Sequence, residues 1–258
     1  VPRLRRETWK PLRKLEEPTV DDFWPSLSQP QFTLDGRFVV LRRSKSSVRI
    51  FDTKTWERRE SAPRVPAEVV AWVPSAKVPR AIIEASGNRI ALWDSEKSRE
   101  VALLDRDARL ERVAFSPDQT RVAVATVHQA DGGYWTNCRL RVWRVADGGL
   151  VSELRPYEYD RPETIKSVLW TADGRYVLAP VTGRAFGPPA IKIWNVATSR
   201  HRGSLVGSGK MFGAEILAGE KRIVASAQDG KMCVWDLAGA LRQVRELERS
   251  VEGSAEPQ

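Results

Sequence analysis

The chain has 258 residues, with 42 Lys and Arg against 33 Asp and Glu, a formal net charge of +9, two cysteines and two histidines. Two cysteines cannot build a disulfide framework, and no apolar run approaches the ~20 residues that a membrane-spanning helix needs. The basic N-terminus is followed by no apolar stretch, so it does not read as a secretory signal. The expectation is a cytoplasmic protein with free thiols at Cys138 and Cys233.

Residues 1–14 hold Arg3, Arg5, Arg6, Lys10, Arg13 and Lys14 against Glu7, more than half of the charge excess. Such a cluster suits nucleic acid or an anionic surface, and it equally suits a solvated tail. Glu7-Thr8-Trp9-Lys10 resembles a later segment, Lys54-Thr55-Trp56-Glu57. Residues 1–16 therefore read as an outer strand without its own inner strands. Residues 9–15 either pair with the strand holding Val234, or are the remnant of an earlier unit. The chain begins at Val1, which fits a removed initiator Met or a longer polypeptide.

From residue 30 onward a five-residue box recurs. It reads Val48-Arg49-Ile50-Phe51-Asp52, Ile90-Ala91-Leu92-Trp93-Asp94, Leu140-Arg141-Val142-Trp143-Arg144, Ile191-Lys192-Ile193-Trp194-Asn195 and Met232-Cys233-Val234-Trp235-Asp236. The aromatics lie 42, 50, 51 and 41 residues apart. A turn-forming segment precedes most boxes: Phe32-Thr33-Leu34-Asp35-Gly36, Phe115-Ser116-Pro117-Asp118 and Trp170-Thr171-Ala172-Asp173-Gly174. Gly tolerates positive φ and Pro presets its own, so these are tight turns. Apolar runs follow, as in Val122-Ala123-Val124 and Tyr176-Val177-Leu178. Each unit reads as strand a, turn, strand b, loop, strand c carrying the box, turn, strand d. The repeats span about 30–60, 68–105, 111–155, 165–206 and 213–248.

On these boxes and turns the chain resembles the WD40-repeat family, in particular its divergent bacterial-type members. The resemblance covers roughly residues 30–248. It implies an all-β fold, a β-propeller of four-stranded antiparallel blades over residues 1–248, with the box tryptophans in the core. Seven blades are usual in the family, so five repeats imply a divergent small ring or part of a larger, seven-bladed propeller. The family often places an Asp six residues before the Trp, in a buried hydrogen-bond network. Only the fifth unit has it, as Asp229; Lys45, Gly87, Asn137 and Pro188 stand there in the others.

After the last box, Leu237, Leu241, Val244, Leu247 and Val251 fall at helical spacings, and strand alternation is absent. A helix is favoured over an outer strand for residues 238–251, and residues 249–258 read as a polar tail. No metal-ligand spacing, Gly-x-Ser-x-Gly or phosphate loop occurs. Gly203–Lys210 has the wrong spacing for the last, and Met211 stands at its hydroxyl position. No cofactor and no catalytic residue is expected.

Function in such a fold sits on loops. Insertions fall in the b–c loops at 127–139 and 181–190, and in the d–a connection at 155–163. All three belong on one face. They would gather Tyr134, Trp135, Tyr157, Tyr159, Arg161, Arg184 and Phe186, residue types enriched at binding hot spots. The reading is a non-enzymatic scaffold that binds a protein or peptide through that face. The alternatives are a nucleic-acid-binding propeller, and the docking or sensor region of a larger enzyme such as a kinase or protease.

Overall fold

A computed structural model describes residues 31–32, 38–44, 47–57, 68–73, 80–85, 88–94, 97, 99–129, 135–155, 165, 167–181, 189–207, 211–217, 219 and 221–253. Its strands form five antiparallel sheets, each a meander in chain order and each drawn from one repeat. Sheet one holds β1 (Gln31–Phe32), β2 (Phe38–Ser44) and β3 (Ser47–Asp52). Sheet two holds β4 (Glu68–Val73), β5 (Arg80–Ala85), β6 (Arg89–Asp94) and β7 (Arg99–Asp105). Sheet three holds β8 (Ala108–Phe115), β9 (Arg121–Gln129), β10 (Trp135–Arg144) and β11 (Leu150–Leu154). Sheet four holds β12 (Leu169–Trp170), β13 (Tyr176–Val181), β14 (Ala190–Asn195) and β15 (Arg200–Val206). Sheet five holds β16 (Met211–Ile216), β17 (Arg222–Ala227) and β18 (Met232–Asp236), followed by the helix α1 (Leu237–Gly253).

The boxes are structurally equivalent. Phe51, Trp93, Trp143, Trp194 and Trp235 each pair with the second residue of the preceding strand: Val39, Ala81, Val122, Val177 and Ile223. In all three four-stranded sheets the c–d register shifts immediately before the Trp. The bulge twists the outer strand where the indole must fit.

Side chains alternate between two interfaces, as a period of two requires. On β9, Val122 and Val124 pack with Ile82, Ile90 and Leu92 of sheet two. Ala123, Ala125 and Val127 pack instead with Val177, Ala179 and Trp194 of sheet four. On sheet four, Tyr176, Leu178, Ile191 and Ile193 face Met211, Ile223 and Ala225 of sheet five. Each fully buried aliphatic side chain of this kind contributes ~1.5–3 kcal/mol, so the sheet-to-sheet interfaces carry the stability.

Short polar side chains make the turns. In three units the residue ending the box accepts backbone N–H bonds just beyond it. Asp52 Oδ1 takes Lys54 N at 2.8 Å, Asp94 Oδ1 takes Lys97 N at 2.9 Å, and Asn195 Oδ1 takes Ala197 N at 2.9 Å. Four residues past the box end, Trp56, Gly148 and Ser199 all have positive φ. The a–b turns repeat another pattern. Ser116 Oγ donates to Asp118 at 2.5 Å and Thr171 Oγ1 to Asp173 at 2.6 Å. Gly174 takes the left-handed position after the second of these, at φ 63°.

The fifth unit departs from the others, because Asp236 caps a helix. Its Oδ1 accepts Gly239 N at 3.0 Å, and the chain continues into α1. Leu237, Leu241 and Val244 bury one face of α1 against sheets four and five. Glu248 extends that stripe at 7% exposure. It accepts Tyr176 Oη at 2.7 Å and Asn195 Nδ2 at 2.8 Å, and pairs with Arg202 Nε at 2.9 Å. The helix favoured by spacing is therefore present, and it runs on into residues 249–253 of the segment read as a tail. The expected strand at residues 9–15 lies outside the described residues.

Two expectations need correction. Of the box tryptophans only Trp194 is fully buried, at 1% exposure; Trp93, Trp143 and Trp235 are half-buried. The register is shared but the cover is not: the His201 ring packs against Trp194 at 6.0 Å between centroids. Asp229 does not build a buried network. It is exposed and bonds Lys231 through its backbone N at 3.1 Å and its Nζ at 3.2 Å, while Trp235 Nε1 donates to Val206 O at 3.0 Å.

Trp194→Ala should lower the unfolding free energy by ~3–5 kcal/mol, the usual range for emptying an aromatic core position. Denaturant titration measures it. A loss under about 1 kcal/mol, typical of a surface change, would remove Trp194 from the core.

Candidate interaction surface

In an antiparallel meander the end of strand b, the start of c and the end of d lie at one edge of the sheet. The three inserted connections leave from that edge of sheet three and the corresponding edge of sheet four. Their strands reach further than the sequence implies. β9 runs to Gln129 and β10 begins at Trp135, with Trp135 opposite Gln129 and Thr136 opposite His128. Residues 127–129 and 135–139 are thus paired strand, not loop, because the backbone ladder persists past a bulge near Asn137. Likewise β13 ends at Val181 and β14 starts at Ala190, opposite each other. Tyr134, Tyr157, Tyr159, Arg161, Arg184 and Phe186 lie outside the described residues. Trp135 is placed only as the first residue of β10.

Below this edge a polar cluster ties sheet two to sheet three. Asp105, at the end of β7, accepts Thr126 Oγ1 at 2.8 Å, and His128 Nε2 lies 3.0 Å from the same oxygen. Arg141 Nη1 lies 3.3 Å from that oxygen too, and Arg141 Nε lies 3.5 Å from Glu153 Oε1. Burial alone would raise the Asp105 pKa. The bonds from His128 and Thr126, with the positive charge of Arg141, outweigh it and hold the carboxyl below the ordinary aspartate range. These residues come from four strands, and no local motif announces them.

On the outer side, between sheets three and four, Glu153, Arg155, Trp194, Ser199 and His201 line an open cleft of about 350 Å³. Ser199 Oγ lies 2.8 Å from the buried Ser152 Oγ, and His201 Nε2 lies 3.0 Å from Ser204 Oγ. The Trp194 indole N–H is buried without an acceptor among the described residues. Both cysteines are free, Cys138 buried and Cys233 half-buried. Among the described residues no group of three His, Cys, Asp or Glu could hold a metal, and no helix is long and apolar enough to cross a membrane.

No protein-family model matches the chain. Over 114 residues it is 28% identical to small ribosomal subunit protein RACK1 of Candida albicans (strain SC5314 / ATCC MYA-2876). That match covers 42% of this chain and 31% of the relative, so the chain spans under a third of its length. The similarity supports a WD40-like propeller. In structure the chain resembles the computationally designed Ika8 protein, with a TM-score of 0.57 over 82% of this chain and 58% of that one. At 17% identity this is a likeness of fold alone. Among the described residues the chain is mostly β, with antiparallel sheets and one helix, and the sheets are consistent with a propeller's blades.

The Asp105 shift fixes a pH dependence. A carboxyl whose folded pKa is depressed stabilises the fold fully above its unfolded value of ~3.9. That contribution is lost as pH falls through the lower folded value. Asp105→Asn should flatten the acid limb of the stability curve, and at neutral pH should cost on the order of 1–3 kcal/mol for the weakened buried bonds. Urea melts at several pH values give the comparison; parallel curves for the two proteins would mean that Asp105 is not coupled to folding.

Proposed function

We propose that this chain is part of a WD40-like β-propeller that serves as a non-enzymatic scaffold, binding a protein or peptide partner at the edge where its inserted connections leave. The observation that carries the reading is the shared register of five box aromatics. It makes the sheets equivalent supports, so that the units differ chiefly in what their loops present. The relative is by name a component of the small ribosomal subunit, which supports a role in assembly over one in catalysis. That name and the two free cysteines also favour a cytoplasmic place of action. The proposed contact residues are Tyr134, Trp135, Tyr157, Tyr159, Arg161, Arg184 and Phe186. Shortening the loops at 130–134 and 182–188 to tight turns should leave the thermal midpoint within a few degrees and abolish capture of a bound protein. Unfolding of the short-loop chain, or undiminished capture, would make these loops structural.

The larger-ring reading has its own support. Val234 and Met232, on the outward face of sheet five, are 54% and 72% exposed, while their counterparts Ile193 and Ile191 in sheet four are buried. A further sheet would cover that face, and residues 9–15 would complete sheet five as its outer strand. Val234→Thr should therefore be close to neutral in this chain, where Ile193→Thr should cost more than about 1 kcal/mol. Equal losses in thermal melts would place Val234 in a filled interface and remove the case for another blade.

A second reading, nucleic-acid binding, is favoured by the net charge of +9. It predicts affinity that falls steeply with salt.

A further inference from the structure

We draw no further inference here: the strongest candidate, the outward face of sheet five with Met232 and Val234 exposed, already serves the larger-ring reading, and nothing in the structure shows what covers it.

Discussion

The fold depends on one constraint: sheets three and four must bury both of their faces. A strand offers alternate residues to opposite sides, so β9 and β13 must be apolar where the sheets overlap. They are: Val122–Val127 is interrupted only by Thr126, and every residue of β13 is buried. Neither face can be covered from within its own repeat. Each cluster takes residues from two consecutive sheets, so the units stabilise one another and no single unit is a folding domain.

The polar groups that remain are placed where they do not compete with this packing. Asp52, Asp94 and Asn195 commit their oxygens to the turns that reverse the chain after each box. Asp236 makes the same kind of bond to Gly239 and opens a helix instead. The residues after Asp236 decide between turn and helix. Leu237, Leu241 and Val244 have a helical stripe to bury, and the Glu248 carboxylate is satisfied by Tyr176, Asn195 and Arg202. Removing an acceptor from such a buried set costs more than any exposed ion pair returns. For that reason Glu248 fixes the docking of the helix, while the exposed Arg144–Asp147 pair merely decorates a turn.

The same two-sidedness creates the junctions between repeats. One cleft lies between the outer strand of sheet three and sheet four, and the b–c and d–a connections leave from one edge of each sheet. The cleft at Trp194 and the cluster at Asp105 both arise at junctions between repeats. They meet at Glu153, which lines the cleft and pairs with the Arg141 that also reaches Asp105.

Periodicity alone determined the strands, the turns and the equivalence of the five boxes, because alternation and turn chemistry are local properties. It also favoured a helix over an outer strand after the last box, since spacings of three and four suit a helix, and the packing of α1 settled the choice. How deeply each Trp is buried was decided by tertiary structure: the register is the same in every unit, but only Trp194 has the His201 ring against it. The extension of β9 and β10 into an expected loop was likewise decided by pairing across strands, not by residue type. Asp105, Thr126, His128, Arg141 and Glu153 were invisible in sequence because they lie up to 48 residues apart and meet only when sheets two and three pack. The Arg155 cleft is the same case. A site assembled from two repeats has no local pattern, because its geometry exists only once one sheet lies against the next.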